Sequence, residues 1–83
     1  MPYVKQERRP ELNFVVESMA RADIKADGDL NYVLFKYCKN FVKPSYNNYK
    51  NFIGELNETI AEIRRRMLAP YEEIKEKENG DVE

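Results

Sequence analysis

The chain has 83 residues, 14 basic and 15 acidic side chains, no histidine and a single cysteine. A domain this short buries only about 60% of the surface its unfolded chain exposes. One cysteine excludes an internal disulfide, and the lack of histidine removes the common zinc sites and the most frequent general base.

Met1 to Arg9 is charged and lacks the apolar stretch of a signal peptide, so residues 1–9 read as an N-terminal arm of a protein kept in a reducing cytosol. Pro10 suits a helical first turn, where its missing N–H costs nothing. Leu12, Val15, Val16 and Met19 recur at helical spacing, which predicts a first helix over 10–23. Ala26-Asp27-Gly28-Asp29 reads as a turn, and Asp29 or Asp27 is suited to cap a second helix over 29–43. Leu30, Val33, Leu34, Tyr37 and Phe41 form its apolar face, with Cys38 as a small hydrophobe among them. Pro44 breaks that helix and Ser45 caps the next.

The third helix, over 45–69, has the clearest pattern. Tyr49, Ile53, Leu56, Ile60, Ile63 and Met67 are spaced 4, 3, 4, 3, 4, the alternation that keeps one seam facing a partner. Phe52 and Leu68 widen the stripe, and Pro70 is expected to stop it, leaving 71–83 as a polar tail with one frayed turn at most. A helix of that length runs about 36 Å, whereas each earlier helix covers about 20 Å. Neither short helix shields the seam alone: either the two stack end to end over it in a compact three-helix monomer, or the same helix of another subunit closes it. The fold class is therefore all-α: two shorter helices and one long C-terminal helix, expected to assemble as a homo-oligomer.

Residues 1–70 carry a balance of +3 and residues 71–83 a balance of −4, too weak a basic charge to predict binding to a nucleic-acid polymer. A helix-turn-helix reading would present Asn31, Tyr32, Lys36 and Lys39 to a groove, but 23–28 is longer than the usual turn. No apolar run reaches the roughly 20 residues that span a bilayer. No catalytic pair, glycine-rich phosphate loop, metal site or cofactor motif is present, so an enzyme is not expected.

Three clusters suit a ligand. Arg64-Arg65-Arg66 ends the third helix, with Arg64 and Arg66 flanking the seam. As solvated residues they complement the helix dipole, and Glu62 pairs with Arg66 at i,i+4; as ligand residues their planar forks suit phosphate. Arg8 and Arg9, with Lys5, form a basic arm that either solubilises the chain or joins an anion site. Lys43-Pro44-Ser45-Tyr46-Asn47-Asn48-Tyr49-Lys50 places amides and tyrosines at a helix N-terminus. It reads either as a plain cap or as a place where Asn47 reads a base edge and Tyr46, taken as lying off the seam, stacks on the base.

Three blocks resemble a family of small uncharacterised proteins encoded by bacteriophages and prophages. They are Met1-Pro2-Tyr3-Val4-Lys5-Gln6-Glu7-Arg8-Arg9, Gly28-Asp29-Leu30-Asn31-Tyr32, and Arg65-Arg66 through Ala69-Pro70-Tyr71-Glu72 to Glu78-Asn79-Gly80-Asp81-Val82. Arg64 stands where that family usually has tyrosine, and Glu83 where an aromatic often closes the chain. The resemblance implies a phage or prophage origin. The architecture is also similar, more loosely, to phage proteins that sequester cyclic-nucleotide immune signals between subunits. By that likeness the expected partners are further copies of the chain and a phosphorylated small molecule or nucleotide. Its phosphates would meet Arg8, Arg9, Arg65, Arg66 and Lys43, and its base or ribose Tyr46, Asn47, Asn31 and Tyr32. The alternative is a module that binds a host or phage protein through the seam, arm or tail.

Overall fold

The computed structural model describes residues 4–82. All regular elements among them are helical. A 3-10 turn, Gln6–Arg8, leads into α1, Arg9–Arg21, which carries Pro10 in its first turn. The end of α1 is set by backbone geometry. Asp23 takes a left-handed φ of 55° and donates its N–H to the Ala20 carbonyl at 3.0 Å, while the Ile24 N–H reaches the Met19 carbonyl at 3.2 Å. These two bonds form a Schellman closure, and half-buried Met19 and Ile24 are the apolar pair that accompanies such a motif.

Helix α2, Gly28–Phe41, begins where the Asp27 carboxylate accepts the Asp29 N–H at 2.9 Å. Asp29 instead reaches back toward the Lys25 N–H at 3.4 Å, so Asp27 is the cap. Val42 turns to extended backbone and ends α2 two residues ahead of Pro44. Ser45 then caps α3, Tyr46–Ile63: its hydroxyl accepts the Asn48 N–H at 3.0 Å, and the Asn48 amide donates to the Lys43 carbonyl at 3.0 Å.

The helix does not stop at Pro70, contrary to the expectation from sequence. α3 passes through a π-turn, Arg64–Leu68, into α4, Ala69–Asn79, so most of the expected polar tail is helical. Within the turn the Ala69 N–H donates to the Arg64 carbonyl, five residues back rather than four. A proline inside a regular helix clashes with the carbonyl four residues earlier and lacks the N–H to satisfy it. Here the five-residue hydrogen bonding of the turn stands directly ahead of the proline, which falls in the first turn of α4, and the helix continues. It closes at Gly80, whose φ of 83° suits glycine and whose N–H donates to the Glu76 carbonyl at 2.8 Å.

The chain divides into two compact units, residues 4–49 and 50–82 among those described. In the first, Leu12, Met19, Ile24, Val33, Leu34 and Cys38 are half-buried, while Val15, Val16 and Phe41 of the expected apolar faces stay exposed. In the second, Phe52 and Leu56 are half-buried, but Ile53, Ile60, Ile63 and Met67 are exposed. No described residue is fully buried. The apolar stripes form as helical faces, and one copy of the chain leaves them largely open to water.

Candidate functional site

In the unit of residues 50–82, the π-turn concentrates chemistry on one carboxylate. Arg65 donates from Nη2 to Glu62 Oε1 at 2.8 Å, and Arg66 Nη1 lies 3.5 Å from Glu62 Oε2. Each carboxylate oxygen thus faces a different guanidinium. The Glu62 side chain is only 19% exposed, whereas those of Arg65 and Arg66 are 65% and 60% exposed. The Glu62 carboxyl is held down to about 2, with the hydrogen bond from Arg65 as the largest cause, so it is ionised across the physiological range. A guanidinium has five donors, so both arginines keep N–H groups facing solvent. Arg64 has no ion-pair partner among the described residues. Sequence reasoning placed Arg64 beside the seam and passed over it as a ligand contact.

The turn also changes which residues share the apolar face. One inserted residue rotates everything after it by about 100° relative to a continuous α-helix. The seam that runs through Ile60 and Ile63 therefore continues through Leu68 and Tyr71 in place of Met67 and Pro70. Exposure follows this shift: Leu68 is 43% exposed and Met67 66%. A register signal was present in the sequence, since Leu68, Tyr71 and Ile74 recur at three-residue spacing across Pro70.

In the unit of residues 4–49 the expected ligand residues are dispersed among local contacts. Arg8 pairs with Glu11 one helical turn away, and Arg9 Nε donates to the Val4 carbonyl at 3.0 Å. Lys36 donates to the Tyr32 hydroxyl at 3.0 Å, which raises the lysine above its ordinary value. Its ammonium is 5.3 Å from the ring centroid, which places it out beyond the hydroxyl rather than over the ring face. Asn31, Lys43 and Asn47 are exposed, and the Lys43 carbonyl belongs to the Ser45 cap. Tyr46 is 80% exposed. It lies three residues before Tyr49, so it continues the seam face, and the reading that set it off the seam is corrected. No described contact joins Arg8 or Arg9 to the tyrosine–amide turn.

Among the described residues no group of three histidine, cysteine, aspartate or glutamate side chains is placed to hold a metal ion. No described helix is long and apolar enough to cross a membrane. A family model described as a domain of unknown function, DUF6899, matches residues 1–82. No curated protein and no solved structure matches the chain.

Proposed function

The chain belongs to the DUF6899 family, and we propose that it works without catalysis, as a self-associating helical protein whose arginine-rich π-turn holds a phosphorylated small molecule. The observation that carries the reading is the π-turn itself. It sets Arg64, Arg65 and Arg66 in one widened turn against a single carboxylate, an excess of two positive charges. π-turns inside α-helices are frequent at functional sites, and planar guanidinium forks match phosphate oxygens. Glu62 then acts as the internal counter-ion that orders Arg65 and Arg66 until an anion competes for their donors.

The resemblance to phage and prophage proteins supports a phage origin, and the looser architectural likeness to sequestering phage proteins supports a nucleotide immune signal as the ligand, held in the host cytosol. Native mass spectrometry with cyclic and linear signalling nucleotides tests the reading. We expect an oligomer that gains a fixed number of nucleotides per subunit, and loss of uptake in Arg65→Ala/Arg66→Ala with helicity unchanged by circular dichroism. Uptake that survives the double substitution would remove the π-turn from the site.

A second reading, a module that occupies a host or phage protein, draws on exposed aromatics of α2. Tyr32 and Phe35, three residues apart and so neighbours on the helix surface, are 62% and 66% exposed. Pull-down from host lysate tests it, and recovery of no stoichiometric partner counts against it.

A further inference from the structure

The stretch from Glu55 to Asn79 carries its charge in blocks. Glu55, Glu58 and Glu62 are three carboxylates without an intervening cation, and Arg64, Arg65 and Arg66 follow as three cations. Beyond the π-turn, Glu72, Glu73, Glu76 and Glu78 outnumber Lys75 and Lys77. Along the same stretch runs an apolar face in which Ile53, Ile60, Ile63, Leu68 and Tyr71 are 57%, 50%, 49%, 43% and 57% exposed. Such a face is incomplete without an occupant, and the charge blocks restrict what the occupant is.

We infer that this face is covered by the same helix of a second copy running antiparallel, about a two-fold axis that passes between Ala61 and Glu62. A parallel, in-register copy sets carboxylate block against carboxylate block and arginine run against arginine run. Reversal places the Glu55–Glu62 block of each copy alongside the Arg64–Arg66 run of the other. Opposite-sign complementarity of this kind selects orientation and register more than it adds affinity. The apolar pairs follow from the same axis: Ile60 meets Ile63 of the second copy, and Leu56 meets Leu68. Ile53 meets Tyr71.

The π-turn is needed for this pairing. Without the inserted residue the partners of Leu56 and Ile53 would be Met67 and Pro70. With it, Leu68 and Tyr71 come onto the seam, and Pro70 turns away from the contact. The acidic start of α4, Glu72 and Glu73, then lies toward the Lys50 end of the second copy's helix. A two-fold interface uses one patch on both subunits, so a self-complementary stripe of apolar and charged residues is what it requires.

The inference rests on the self-association in the proposed function and not on its ligand. It is tested on the full chain in a Cys38→Ser background, with nitroxide labels at Ala61→Cys or Lys77→Cys, both exposed positions. Circular dichroism checks that each variant keeps its helicity, and sedimentation equilibrium on the unsubstituted chain gives its assembly state. Helix rise predicts two labels at residue 77 about 45 Å apart in an antiparallel pair. Labels at residue 61, close to the axis, are expected within about 20 Å, given interaxial distances of 8–10 Å. A short distance at both positions overturns the antiparallel arrangement and assigns a parallel one. A long distance at both removes the axis from residues 61–62. A monomeric chain overturns the inference together with the self-association, whereas failed nucleotide uptake by an antiparallel dimer overturns the ligand reading alone.

Discussion

At the scale of single residues, one non-glycine residue among those described takes a left-handed conformation. Asp23 occupies the left-handed region at the Schellman position, where a Cβ is unfavourable and glycine is not. Its ion pair with Lys25, at 2.6 Å, joins side chains 84% and 60% exposed and contributes little. Asp23→Gly is therefore expected to stabilise the chain by about 0.5–1 kcal/mol, the lost Cβ strain partly offset by glycine's greater unfolded-state entropy. Chemical denaturation checks this, and a loss of stability would mean that the carboxylate holds the turn. Glu62 offers a second test. Its folded value near 2 lies below the ordinary glutamate value of about 4.3. The stabilisation from its pairing is present above the unfolded value and is lost as pH falls through the folded one. A carbon-detected NMR titration should find the Glu62 carboxyl midpoint well under the ordinary value, and Arg65→Ala should move it upward. The pair with Arg66 was legible from i,i+4 spacing. The closer contact with Arg65, at i,i+3, follows from the same helical neighbourhood and was open to the same reading.

At the scale of elements, the caps were readable and the continuation was not. Asp27, Ser45 and Pro10 are local signals, each acting within one turn of its own position, and each stands where helix-end chemistry requires it. Ser45→Ala should cost about 1 kcal/mol in thermal or chemical unfolding, since it leaves the Asn48 N–H without its acceptor. Pro70 is also a local signal, but a conditional one: it ends a helix only if the backbone keeps four-residue hydrogen bonding. The π-turn removes that condition. If it relieves the proline, Pro70→Ala should gain clearly less than the roughly 3 kcal/mol that separates proline from alanine in a regular helix interior. A gain of the full amount would show that the turn does not spare the helix. Reading Leu68, Tyr71 and Ile74 as a continued apolar pattern would have pointed past Pro70, but the pattern is displaced by one residue and a fixed heptad misses it.

At the scale of the whole molecule, the main question is where the apolar surface goes. The helical class and the long last helix follow from periodicity, which records which residues share a face. Periodicity does not record what covers the face, and no described residue is fully buried within one chain. A dispersed set of candidate ligand residues has the same origin: sequence identifies arginines and amides, but convergence depends on contacts that a single helix does not specify. If copies of the chain bury these stripes against each other, stability depends on concentration, because association binds the folded state and not the unfolded one. The midpoint of thermal unfolding should rise steadily as protein is raised from micromolar to hundreds of micromolar. Ile60→Asp should remove most of that dependence, since burying an isoleucine is worth about 1.5–3 kcal/mol and a carboxylate at the seam costs more than its loss. Ile60 is half exposed in the single chain, so the same substitution should change the dilute midpoint much less. A midpoint independent of concentration in the unsubstituted protein, with Ile60→Asp equally stable, would mean that the stripe remains in water and that the helix stands without a partner.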